Sequence, residues 1–91
     1  MLPIKWKLEA LEDLAEIINY IELRNPTAAA SLHRTIVRIT ENLSSAPYLF
    51  VTGRDPGTRE CVVHPNYLVV YQVGADSIDV LRVLHARQQY P

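Results

Sequence analysis

The stretch that decides the fold of this chain reads RECVVHPNYLVVYQVGADSIDVLRVLH and spans residues 59–85. It is rich in β-branched and aromatic residues, which favour strands, and two groups of turn residues, HPN and GAD, interrupt it. Interruptions of this length fit hairpin loops. The middle run, LVVY, has no polar alternation, which is typical of a central strand buried on both faces. The stretch therefore predicts three consecutive strands, at residues 59–63, 67–73 and 77–85.

The first half of the chain predicts one more strand and two helices. Residues 2–7 alternate, with Ile4 and Trp6 opposite two lysines, which indicates a short half-exposed strand. Apolar residues then recur every three or four positions from about residue 9, which indicates an amphipathic helix. Asn25 and Pro26 interrupt that rhythm and suit the cap and first turn of a second helix. The short break predicts an antiparallel helical hairpin.

The region between the second helix and the strands, residues 47–57, contains prolines and glycines and is predicted to be a loop. Its apolar run, YLFV at 48–51, is expected to tuck under the helices. The element order is therefore β-α-α-β-β-β. A helical hairpin packed on one face of an antiparallel sheet buries the apolar stripes of both helices. We predict this α+β architecture as a single domain over residues 1–91.

The charge and composition of the chain bound its function. The net charge is −1, and because each phosphate contact needs a cation, we expect no direct sequence-specific binding of nucleic acid. No run approaches the roughly 20 apolar residues of a membrane span, and the N-terminus lacks the apolar run of a signal peptide. The single cysteine fits a reducing compartment. We therefore expect a cytoplasmic protein with no membrane partner. Three scattered histidines suggest no metal site, and no motif points to a cofactor.

Three segments carry a resemblance to a known family: PGTRE at 56–60, PNYLVVY at 65–71 and LRVLHARQQYP at 81–91. Together with the element order, they resemble the ParE/RelE superfamily of bacterial type II toxins over nearly the whole chain. The arginine–histidine–arginine pattern of the last segment is similar to the ParE branch. The resemblance implies the fold predicted above, action in the cytoplasm, and a cognate antitoxin whose C-terminal region wraps around the toxin.

The resemblance implies one of two activities, and a third outcome stays open. ParE-type toxins poison DNA gyrase and trap it on cleaved DNA, whereas RelE-type toxins cut messenger RNA in the ribosomal A site. A chain that had lost toxicity would still take part in co-repression of its own operon through its antitoxin. We expect gyrase poisoning without enzymatic chemistry, and the ribosome-dependent mRNA endoribonuclease is the alternative.

An RNA-cleaving site of this family would need cations for the phosphate and acid–base groups for the 2′-hydroxyl and the leaving oxygen. The candidates implied by the resemblance are Arg59, Arg82, His85 and Tyr90. Two observations speak against them. No lysine follows Lys7, and His85 lies three residues after Arg82, a longer spacing than in the histidine-dependent nucleases of the family.

Contacts with partners are expected at two surfaces. Residues at the end of the last strand and beyond it are expected to bind the target: Arg82, His85, Arg87 and Tyr90. The antitoxin is expected in an apolar groove between the helical hairpin and the sheet, with acidic residues that meet the arginines. Its candidate contacts are Leu11, Ile18, Ile36, Arg59 and Arg82.

Both of the strand arginines also have structural alternatives. Arg82 alternates with apolar residues, so its charge needs a carboxylate partner, which either this chain or the antitoxin supplies. Arg59 is placed to form a surface ion pair with Asp55 or Asp79, a kind of contact that contributes under about 1 kcal/mol.

Overall fold

The computed structural model describes residues 1–87, which form two helices and a five-stranded sheet. The elements, in chain order, are β1 (Ile4–Trp6), α1 (Leu8–Glu22), α2 (Pro26–Glu41), a 3₁₀ turn (Asn42–Ser45), β2 (Val51–Thr52), β3 (Arg59–His64), β4 (Tyr67–Val73) and β5 (Ile78–His85). The predicted helical hairpin, the first strand and the last three strands are confirmed. The two-residue strand β2 was not predicted.

The start of α2 follows from its sequence. Asn25 has an extended backbone, and its side-chain Oδ1 accepts a hydrogen bond of 3.0 Å from the backbone N–H of Ala28. Pro26 occupies the first turn, where its missing N–H would have no helical partner. The predicted cap is confirmed, and it fixes the break that turns α2 back along α1.

The sheet has the order β1-β5-β4-β3-β2. Neighbours from β2 to β5 pair antiparallel, but β1 runs parallel to β5, with Ile4 opposite Ile78 and Trp6 opposite Val80. The prediction of a purely antiparallel sheet is therefore wrong for β1, and the sheet is mixed. A parallel neighbour requires a long connection, and here the helical hairpin and the strands β2 to β4 lie between β1 and β5 in the chain.

The main core lies between the helical hairpin and one face of the sheet. Ile36, Tyr71, Ile78 and Val80 are fully buried at its centre. A smaller cluster of Leu68, Val70 and Leu84 lies on the opposite face. All four residues of the LVVY run are between 0% and 4% exposed, which confirms a central strand buried on both faces.

The segment that precedes the strands differs from the prediction. Tyr48, Leu49 and Val51 are 65%, 74% and 69% exposed, and only Phe50 packs against the core. The expectation that this run lies under the helices is therefore wrong for three of its four residues. The reason is that Val51 pairs with Glu60 at the open edge of the sheet, which carries the segment away from the hairpin.

Candidate functional site

Arg82 is bound to α1 by a double hydrogen bond. Its Nε and Nη2 donate to the carboxylate of Asp13 over 2.7 Å and 3.0 Å, and the backbone N–H of Val83 donates to the same carboxylate over 3.0 Å. The hydrogen bonds to Asp13 raise the pKa of Arg82 above its ordinary value, while burial opposes the shift. The carboxylate that Arg82 needs is thus supplied by this chain, which was one of the two alternatives.

The position of Asp13 follows from where β1 ends. β1 covers β5 only from Ile78 to Val80, and the backbone N–H of Lys7 donates to the carbonyl of Val80 before α1 begins. Beyond that point β5 has a free edge. Asp13 accepts the N–H of Val83 there, in the place of a neighbouring strand.

A β-bulge explains why simple alternation misplaces Arg82. Val80 lies opposite Tyr71 and Arg82 opposite Val70, so Leu81 is an extra residue in β5. Val80 belongs to the main core, whereas Arg82 follows the face of Val70. Its side chain is part of the wall of grooves on both sides of this edge.

Arg59 is held by carbonyl groups of the exposed segment that precedes β2. Its Nη1 donates to the carbonyl of Phe50 over 2.8 Å and to that of Tyr48 over 3.4 Å, and its guanidinium lies 5.0 Å from the centroid of the Tyr48 ring. The hydroxyl of Tyr71 donates to the carbonyl of Pro47 over 2.7 Å. Arg59 is therefore hydrogen-bonded to the backbone of the segment before β2. The expected ion pair of Arg59 with Asp55 or Asp79 is not among the ion pairs of residues 1–87.

His85 is part of an aromatic shelf, which we define as His64, Tyr67 and His85. The two imidazole rings lie on either side of Tyr67, each with its centroid 5.6 Å from the phenol ring. Nδ1 of His64 accepts from the N–H of Asn66, and Nδ1 of His85 accepts from the N–H of Arg87. The Nδ1 atom of each histidine thus has a backbone partner. Tyr67 itself is half-buried and packs against the main core.

Within residues 1–87, the structure does not bring the ribonuclease candidates Arg59 and His85 together. Arg59 pairs with Tyr71 and His85 pairs with Tyr67, so they lie about four residues, or about 13 Å, apart along β4. Arg82 is bound to Asp13. Tyr90 lies outside the described residues.

The antitoxin candidates fall into three groups. Leu11 is 48% exposed and Ile18 is half-buried, and both line a groove of about 280 Å³ between α1 and α2. Ile36 is 0% exposed, because α2 turns that side chain into the core. The prediction that Ile36 lines the groove is therefore wrong. Arg59 and Arg82 have partners within the chain. Of the target candidates, His85 and Arg87 are exposed.

Residues 1–87 hold no group of three or more histidine, cysteine or acidic side chains that is placed to bind a metal ion. The only cysteine, Cys61, is fully buried in β3, and burial raises its pKa to about 11. Within the same residues, neither helix is both long enough and apolar enough to span a bilayer.

The fold and these surfaces define a small α+β protein that presents grooves beside a helical hairpin and an aromatic shelf at the end of its sheet. The model of the ParE toxin of type II toxin–antitoxin systems matches residues 4–90. The chain therefore belongs to the ParE toxin family, within the ParE/RelE superfamily.

Two curated toxins are similar to this chain. This chain is 38% identical over 89 residues to the candidate toxin Y4kP of Sinorhizobium fredii. The aligned region covers 97% of this chain and 92% of that protein. It is 31% identical over 88 residues to the toxin RelE2 of Caulobacter vibrioides. That aligned region covers 94% of this chain and 97% of RelE2. Both proteins are similar to it over almost their full length.

A solved structure supports the fold. A chain of the chromosomal ParDE toxin–antitoxin system from P. aeruginosa superposes with a TM-score of 0.82 at 21% identity, over 93% of this chain and 96% of that chain. A chain of the toxin–antitoxin complex RelBE2 from Mycobacterium tuberculosis superposes with a TM-score of 0.64 at 20% identity, over 92% of this chain and 96% of that chain. The better superposition is on the ParDE structure.

Proposed function

We propose that this chain is a cytoplasmic toxin that poisons DNA gyrase and is neutralised by a cognate antitoxin. The family membership supports a toxin of a type II system, and the antitoxins in the related ParDE and RelBE2 structures support a partner of that kind. The likeness to the ParE branch supports gyrase as the target. Poisoning acts through protein contact and requires no catalytic group from the toxin.

The observation that carries this proposal is that both strand arginines are already engaged inside the chain. Arg82 is neutralised by Asp13, and Arg59 is held by two carbonyl groups. A phosphodiester cleavage site needs cations that meet the transition-state charge. Using either arginine for that purpose would require these contacts to break, which favours inhibition through surface contact.

We further propose that the target is contacted at the end of β5, through His85 and Arg87. Both side chains are exposed, and the aromatic shelf adjoins them with a ring surface that suits a protein partner. Arg82 is expected to support this surface through Asp13. Tyr90, the fourth expected contact, lies outside the described residues and remains part of the proposal by resemblance.

The experiment uses the purified chain with purified gyrase and supercoiled plasmid. After denaturation and protease treatment, we expect linear DNA that depends on both the chain and gyrase. The double variant His85→Ala/Arg87→Ala should lower the yield of linear DNA about tenfold, the size of effect that loss of an interface anchor gives. The matched control is Arg34→Ala/Arg38→Ala, which removes two exposed cations from α2 and should leave the yield unchanged. If gyrase gave the same DNA products with and without the chain, the proposal would be contradicted.

The ribonuclease remains a second candidate because the chain is 31% identical to the toxin RelE2. Its test is cleavage of mRNA on translating ribosomes by the pure chain. Cleavage that disappears in His85→Ala would establish this activity in place of gyrase poisoning. Inactivity in both assays, together with repression of the operon by the toxin–antitoxin pair, would identify a toxin that serves only in co-repression.

A further inference from the structure

The edge of the sheet formed by β2 and β3 carries a group of exposed apolar side chains. We define this edge patch as Tyr48, Leu49, Val51 and Val62. Its members are between 64% and 74% exposed. Val62 pairs with Leu68, which belongs to the smaller cluster on the face of the sheet opposite the helices. The edge patch therefore lies at the border of the sheet face that no helix covers.

The strand edge beside this patch is only partly covered. β2 pairs with just two residues of β3, so in the part of the chain that the structure describes, residues 61–64 have no neighbouring strand on that side. Proteins usually protect such edges with charged side chains or covering segments. The other edge of the sheet has Lys5 in β1, and Asp13 closes the free part of β5. Residues 48–52 and 61–64, in contrast, contain no aspartate, glutamate, lysine or arginine.

Polar contacts hold the exposed segment of the edge patch in place. Nη1 of Arg59 donates to the carbonyls of Tyr48 and Phe50, and the hydroxyl of Tyr71 donates to the carbonyl of Pro47. Because these hydrogen bonds fix the backbone of the segment, its apolar side chains form a preorganised surface. Covering a preorganised surface costs less conformational entropy than covering a mobile one.

The charges beside the edge patch cancel, which selects among possible occupants. Nε of Arg54 lies 3.4 Å from Oε2 of Glu60, and the backbone N–H of Arg54 donates to the same oxygen. Nucleic acid and anionic membranes need a surplus of cations, which this surface does not offer. A second copy of the chain matches the patch in apolar character and brings no surplus of like charge to it. A two-fold axis would place the two identical patches face to face.

We propose that two copies of the chain associate through the edge patch, around a two-fold axis beside the uncovered part of β3. The apolar side chains of each copy cover those of the other, and the face of the sheet that no helix covers gains a neighbour. Four side chains from each copy form an interface below the standard size of about 1,600 Å². The association is therefore weak and reversible. It is a property of the free chain and goes beyond the proposed toxic activity.

The test is sedimentation equilibrium of the purified full chain, from about 1 µM to about 500 µM. We expect a monomer that converts to a dimer with a dissociation constant on the order of 10–100 µM, as suits a small interface. Because the charges beside the patch cancel, about 0.5 M salt should leave this constant unchanged or lower it.

Variants locate the interface. Val62→Lys brings two like charges together near the axis and should raise the dissociation constant about tenfold or more. Leu49→Lys, outside the regular strands, should have the same effect and does not depend on whether β3 tolerates a lysine. The matched control is Leu23→Lys, which alters a leucine that is 86% exposed just after α1 and should leave the dissociation constant unchanged. Circular dichroism checks that each variant is folded.

Four outcomes would overturn the proposal: a monomer over the whole concentration range, a dimer that both Val62→Lys and Leu49→Lys leave intact, a dimer that Leu23→Lys dissociates, or a dimer that dissociates in high salt. The first of these would leave the edge patch to a partner other than a second copy. The measurement contains no gyrase, ribosome or antitoxin. Its result is therefore independent of whether the proposed toxic activity is found.

Discussion

Cys61 shows how burial changes the chemistry of a single side chain. The thiol is fully buried in β3, and burial raises its pKa from 9.0 to about 11. A thiol with this pKa is protonated at neutral pH and is a poor nucleophile. The neighbouring Tyr71 hydroxyl also has a raised pKa, mainly because it is buried; the charge of Cys61 adds to that shift and Arg59 opposes it.

These shifts predict a loss of stability at alkaline pH. The unfolded chain gives up the Cys61 proton near pH 9 and the folded chain only near pH 11, so the unfolded state binds fewer protons between these values and the free energy of unfolding falls as pH rises. The contribution is full below pH 9, and about 2–3 kcal/mol of it is lost by pH 11. Urea unfolding at a series of pH values from about 7 to about 10 follows this fall in the free energy of unfolding. Cys61→Ala should lower stability at pH 7 by about 1 kcal/mol and flatten the alkaline decline, with Tyr71 leaving a residual slope. Parallel profiles for the two proteins would contradict the prediction.

The free edge of β5 illustrates how two elements are joined by side chains. Asp13 on α1 accepts hydrogen bonds from the Arg82 guanidinium and from the Val83 N–H, so it satisfies an edge amide and a half-buried charge at once. The Asp13 side chain is 14% exposed and that of Arg82 is 27% exposed, which makes solvent screening incomplete. This contact ties the helical hairpin to the sheet beyond the point where β1 ends.

We therefore expect Asp13→Ala to lower the free energy of unfolding by about 2 kcal/mol, because it leaves both the guanidinium and the Val83 N–H without an acceptor. Asp13→Asn keeps an acceptor oxygen and should lose about half as much. A double-mutant cycle of Asp13→Ala with Arg82→Met, followed by urea unfolding, should give a coupling energy of about 1 kcal/mol. Additive effects of the two substitutions would show that the pair contributes nothing to stability.

Local patterns were enough to predict some elements and could not predict others. The periodic apolar residues of α1, the Asn25–Pro26 cap and the LVVY strand are fixed by neighbours close in sequence, and the structure confirms them. The parallel position of β1 and the Asp13 partner of Arg82 depend on residues about 70 positions away, and the bulge at Leu81 depends on the register between β5 and β4. No period within a single segment carries that information.

Local sequence patterns also gave too little information to predict the whole candidate site. His85 and Leu11 are exposed, as their predicted contacts with a target and an antitoxin require. Ile36 was misplaced because one apolar stripe of α2 looks the same from sequence whether it faces the sheet or a partner. Asp13 was missed because an acidic residue in the first turns of a helix is explained equally well by the helix dipole.

Hydrogen bonds join the first strand of the chain to the last one. The N–H of Ile78 donates to the carbonyl of Pro3, and the N–H of Lys7 donates to that of Val80, each over 2.9 Å. The hydroxyl of Ser44, just after α2, donates to the carbonyl of Leu2 over 2.7 Å. Strand β1 is thus held by β5 on one side and by the end of the helical hairpin on the other.

Trp6, the single tryptophan, lies in β1 and packs against the main core, so its fluorescence reports whether β1 is docked. In urea, we expect the transition in Trp6 fluorescence to coincide with the transition in far-ultraviolet circular dichroism, which reports the helices, because neither element keeps its core contacts without the other. Ser44→Ala should shift both transitions together to lower urea, by about 1 kcal/mol in the free energy of unfolding. The control Ser31→Ala, on an exposed position of α2, should shift neither. If the fluorescence changed at lower urea than the circular dichroism, β1 would be a separately unfolding edge, and the parallel pairing would be an addition to an antiparallel sheet that is stable alone.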